Sequence, residues 1–83
     1  MPYIKQEDRP VMDLVIKTMA DADIRANGDL NYVLFAFCKR HVDLNYNSLK
    51  NYIGELRQCA TEIERKILGP YEEEKIKING DVI

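Results

Sequence analysis

The chain has 83 residues, 46% of them hydrophobic and 31% charged, with a formal net charge of −2 from 14 acidic and 12 basic side chains. That composition belongs to one folded domain rather than a disordered tail. Its interspersed charges exclude the basic footprint of a nucleic-acid binder, and no apolar run approaches the length of a membrane span. A chain this short buries only roughly 60–65% of its unfolded surface, so a partner subunit would add to its stability.

Residues 1–7 read as an arm, with Tyr3 and Ile4 favouring an extended backbone. A first helix is predicted from about Arg9 to Ala26. Asp8 is its candidate cap and Pro10 lies in its first turn, where a missing N–H costs nothing. Val11, Met12, Val15, Ile16, Met19 and Ala22 share one face. Asp13, Lys17, Asp21 and Arg25 share the other, alternating in sign at i,i+4. Asn27-Gly28 reads as the stop.

A second helix is predicted from about Leu30 to Val42, capped by Asp29. Leu30, Val33, Leu34, Phe37, Cys38 and His41 point one way, while Tyr32 and Phe35 make a second apolar face. A helix apolar on two faces is either central or shared with a partner. Asn45-Tyr46-Asn47-Ser48 is a turn-rich connection, with Asn47 or Ser48 as the next cap.

The third helix carries the clearest signal. Leu49, Tyr52, Ile53, Leu56, Cys59, Ala60, Ile63 and Ile67 recur at steps of three and four. Gly69-Pro70 reads as its stop, and Pro70 as the start of a short fourth helix with Glu72, Glu73 and Glu74 near its beginning. Asn79-Gly80 closes that helix, and Asp81-Val82-Ile83 is a β-prone tail. The predicted class is all-α: a small bundle of three main helices plus a short C-terminal helix, with extended N- and C-terminal arms, over one domain 1–83. Leu34, Phe37, Leu56 and Ile63, near the middle of their stripes, are the expected core.

The start "MPYIKQEDR", the internal "GDLNYV" and the end "PYEEEKIKINGDVI" resemble a small family of uncharacterised proteins of bacterial and phage genomes. The resemblance covers the whole chain. It implies a self-standing protein of about this length, with no assigned activity and no catalytic or binding residue to carry over.

Little here carries chemistry. Cys38-x-x-His41 and Cys59-x-x-Glu62 could bring four metal-ligand types together from neighbouring helices. Cys38, His41 and Cys59 all fall on apolar stripes, however, where packing is the ordinary role, so no metal or other cofactor is assigned. Two cysteines suit a reduced, cytoplasmic protein better than a disulfide scaffold. No charged stretch followed by an apolar one stands at the start, so no signal peptide is expected.

Glu55, Glu62 and Glu64 with Glu72 to Glu74 suggest an alternative, a metal-dependent nucleotide hydrolase using carboxylates of the third and fourth helices. The spacing is poor. Glu62 and Glu64 do not share a face, and Glu62 is placed to pair with Lys66 instead. Lys39-Arg40 and Arg65-Lys66, with Tyr32, Tyr46 and Tyr52, make a thin case for nucleic acid.

The better expectation is a non-catalytic helical interaction protein that forms a homodimer. Its candidate interface residues are Tyr32 and Phe35 on the second helix and Gly54, Thr61 and Leu68, which recur every seven residues on the face of the third turned away from its main stripe. Tyr3 and Ile4 with Val82 and Ile83 at the two ends complete the set.

Overall fold

The structure is a computed structural model that describes residues 4–82. The chain is all-α, and no strand occurs among the described residues. A 3-10 turn at Gln6–Asp8 leads into α1 (Arg9–Asp21), followed by α2 (Gly28–His41), α3 (Tyr46–Ile63), a π turn (Glu64–Leu68) and α4 (Gly69–Asn79). The backbone divides into two compact units, the first ending at Val42 and the second beginning at Asp43.

In the first unit, α1 begins at Arg9 with Pro10 in its first turn, as the sequence predicts. Asp8 makes no side-chain cap bond, because the preceding 3-10 turn already feeds its backbone into the helix. The end of α1 lies five residues before the predicted Ala26. Asp23 takes a left-handed backbone (φ 55°), its N–H bonds the Ala20 carbonyl, and the Ile24 N–H reaches back to Met19. These are the two bonds of a Schellman motif. Met19 and Ile24, which flank the motif, are both half-buried. Aspartate tolerates the left-handed region better than most non-glycine residues, so the stop falls there and not at Gly28.

Gly28 instead opens α2. Asn27 is its cap, with Oδ1 accepting from the Asp29 N–H at 2.9 Å. Asp29, predicted to be the cap, is the second residue of the helix and accepts from the Arg25 N–H. α3 is similarly capped two or three residues earlier than predicted. Asn45 Oδ1 accepts from the Ser48 N–H at 2.9 Å, which leaves Asn47 and Ser48 inside the helix. Asn45→Ala is therefore expected to cost about 1 kcal/mol, and Asn47→Ala close to nothing, in urea unfolding followed by circular dichroism.

Gly69-Pro70 does not stop the third helix. α3, the π turn and α4 run on as one helix of 34 residues. A proline inside an α-helix removes one N–H and presses its ring on the carbonyl four residues back, here that of Lys66. The π turn widens the helix just before this position, and the Gly69 N–H bonds the Glu64 carbonyl five residues back. The fourth helix is thus a continuation. It ends at Gly80 (φ 85°), as predicted.

No residue among those described is buried. This overturns the expected core: Phe37 is 54% exposed, Ile63 48% and Leu56 37%, and Leu34 is half-buried. The reason is local. A continuous helix is the whole of the second unit's regular structure, so nothing within that unit can cover its stripe. In the first unit, α1 and α2 share no extended packing face.

Candidate interaction surface

On α1 and α3 the periodicity gathers the apolar side chains on a stripe, and the stripes remain open. On α1, Val11, Met12, Val15 and Ile16 are exposed. A shallow groove on this helix is lined by Ile4, Arg9, Met12, Asp13 and Ile16, and the Arg9 Nε donates to the Ile4 carbonyl at 3.4 Å. The predicted far-face pair Lys17–Asp21 forms, whereas Arg25 lies beyond the end of α1. Lys17 pairs with Asp21 at 2.6 Å, while Arg25 turns to Asp23 at 3.1 Å. Both pairs are exposed and contribute little to stability.

On α2 the two aromatic residues of the second face are the most open. Phe35 is 66% exposed and Tyr32 62%. The Arg40 Nη2 donates to the Tyr32 hydroxyl at 3.2 Å, fixing the ring along the helix surface. Phe37 and His41 stack in a tilted pair with centroids 5.3 Å apart.

Of the residues Gly54, Thr61 and Leu68, the first two lie on α3 and Leu68 ends the π turn. A Cβ added at Gly54 would meet nothing within 4 Å, so no contact inside the chain requires glycine there. The Thr61 hydroxyl donates to the Arg57 carbonyl at 3.1 Å, and Thr61 and Leu68 are both exposed. Of the end residues, Ile4 and Val82 are exposed and lie in no strand. Tyr3 and Ile83 fall outside the described residues.

The residues considered for chemistry are occupied or dispersed. The Glu62 carboxylate receives Arg65 at 3.0 Å, Lys66 at 3.4 Å and Gln58 at 3.4 Å, so it serves an ion-pair cluster on its own helix. That includes the i,i+4 pairing with Lys66 that the spacing predicts. Glu74 pairs with Lys77. Among the described residues no three His, Cys, Asp or Glu side chains converge in a way that could hold a metal ion. Cys38 and Cys59 are free thiols. Cys38 is half-buried, but Cys59 is exposed, a correction to its reading as a packing residue.

Sequence reasoning missed the π turn and its two supports, Gly69 and Glu64. The only available signal was that Ile63 and Ile67 carry the stripe right up to Gly69-Pro70 without weakening.

The chain belongs to the family described as "Domain of unknown function (DUF6899)", which matches residues 1–82. No curated protein and no solved structure matches it. Membership over the whole described length agrees with the resemblance drawn from the two ends, and no function comes with it. Among the described residues no helix is long and apolar enough to cross a membrane.

Proposed function

We propose that this member of an uncharacterised family is a small helical interaction protein that works by self-association, as a homodimer in the cytoplasm, with no catalytic centre. The observation that carries the reading is the absence of any buried residue among those described, set against continuous apolar stripes on α1 and α3. Each Å² of apolar surface withdrawn from water contributes about 25 cal/mol, and soluble monomers rarely leave patches of this extent open. Free thiols at Cys38 and Cys59 fit a reducing compartment. The hydrolase alternative finds no support, since Glu62 is engaged by cations of its own helix.

Sedimentation at tens of micromolar, with and without Mg²⁺ or Mn²⁺, tests the reading. The expected result is a dimer whose mass does not respond to the cation. Phe35→Glu is expected to weaken that dimer and to leave the helical content unchanged. A wild-type chain that stays monomeric, or a Phe35→Glu variant that unfolds outright, overturns the reading, since the second face of α2 would then belong to the chain's own core.

A further inference from the structure

The apolar residues of α3 also repeat in sevens. Tyr46, Ile53 and Ala60 form one set, and Leu49, Leu56 and Ile63 form a second, offset by three and four; the sequence pattern continues to Ile67, which lies in the π turn beyond the end of α3. Two such interleaved sets are the seam of a two-stranded coiled coil. The seam is aliphatic or aromatic at every position from 46 to 63, and a shallow groove follows its first half past Leu49, Lys50, Ile53 and Arg57. No other helix of the second unit exists to cover it.

We propose that this face of α3 pairs antiparallel with the same face of a second copy, about a two-fold axis beside Gln58. The pairing rests on the self-association reading above and uses the main stripe of α3, a different face from that of Gly54, Thr61 and Leu68 and a different helix from that of Phe35. A two-fold interface must be complementary to itself, and the seam is so in one direction only. In the antiparallel arrangement each member of one set faces a member of the other. Ile53 meets Ile63 of the second copy and Leu56 meets Ala60, while Leu49 and Tyr46 face the end of the second copy's α3, where the π turn shifts the register of Ile67 and Pro70.

The largest and smallest seam residues near the axis therefore fill one layer together. A parallel pair in register would set Ala60 against Ala60 and leave a gap between bulky layers, which close packing penalises.

Charge selects the same direction. The residues flanking the seam on one side are Lys50, Arg57 and Glu64. Antiparallel pairing brings Lys50 beside Glu64 of the second copy at both ends, with a single like-charge meeting of Arg57 with itself near the axis. Parallel pairing matches Tyr52 with Arg57 and Cys59 with Glu64, and forms no opposite-charge pair. Lys50 already lies on the seam side, 5.7 Å from the centre of the Tyr46 ring. A specific interface needs to bury at least about 1,000 Å² in total.

A zero-length carbodiimide cross-link on the wild-type protein decides the matter. Lys50 and Glu64 are roughly 21 Å apart along one helix, so no amide can join them within a copy. In a mixture of isotopically light and heavy protein, a Lys50–Glu64 amide joining light to heavy peptides is the expected product. Lys50→Glu should weaken the dimer about threefold to tenfold, and adding Glu64→Lys should restore it. Both side chains are exposed, so neither change threatens the fold. A dimer that yields no Lys50–Glu64 link, or in which the double variant is no tighter than the single one, overturns this pairing and leaves self-association standing. A monomer overturns both.

Discussion

Leu56→Glu is expected to leave the chain monomeric and still helical. Leu56 sits at the middle of the α3 stripe, and its layer lies next to the proposed axis. In the dimer the variant would bury two carboxylates against Ala60 in the apolar seam, with the Arg57 pair flanking it. An unpaired charge withdrawn from water costs several kcal/mol, and each 1.4 kcal/mol is tenfold in affinity, so the dissociation constant should rise by about 100-fold or more.

The helix itself should not suffer, because glutamate and leucine have similar helix propensities. Sedimentation together with circular dichroism reads both quantities. Leu56→Ala is the milder control. With 37% of Leu56 open in the single chain, its loss there should stay under about 2 kcal/mol, and the dimer should lose more. A Leu56→Glu chain that unfolds at every concentration would place the stripe in an intramolecular core.

The helical class was legible because periodicity is a property of the chain alone. The start of α1 at Arg9, the end of α4 at Gly80 and the Lys17–Asp21 and Glu62–Lys66 pairs follow from residue types at fixed spacings. The caps were harder to place, since Asn27-Gly28-Asp29 and Asn45-Tyr46-Asn47-Ser48 each offer several competent acceptors within a few residues. Backbone geometry chooses among them, with Asn27 and Asn45 the ones held outside helical dihedrals.

The stop of α1 was misplaced for a related reason. Asp23 can take a left-handed backbone, and Ile24 offers the apolar residue that commonly follows such a turn, so the helix ends before the glycine is reached. What periodicity could not convey is the identity of the cover. A stripe such as Leu49 to Ile67 states that one face avoids water. It is the same stripe whether the cover is the chain's own neighbour or a second chain. The expectation that Phe37, Leu56 and Ile63 form an internal core supplied the first answer by default.

The junction at Gly69-Pro70 lends itself to a double-mutant cycle, with a sign change as its expected outcome. Pro70→Ala restores the missing N–H and removes the ring from the Lys66 carbonyl, so the π turn loses its cause. The continuous helix should gain stability, by up to about 3 kcal/mol.

Gly69→Ala alone should do the opposite. Its Cβ would stand 3.1 Å from the Glu64 carbonyl oxygen, which also accepts the Gly69 N–H. The carbonyl cannot withdraw without lengthening that bond, so the substitution presses on the turn that Pro70 requires. In the Pro70→Ala background the wide turn is free to close into ordinary α-helix. The carbonyl then moves to a partner four residues on, and alanine gains its usual advantage of about 0.5–1 kcal/mol over glycine.

The two substitutions should therefore be strongly non-additive, with Gly69→Ala destabilising in one background and stabilising in the other. Thermal unfolding of the four chains measures the cycle, and amide exchange at Gly69 reports whether its bond to Glu64 has gone. Additive effects would mean that the wide turn belongs to the packing of this helix rather than to its proline.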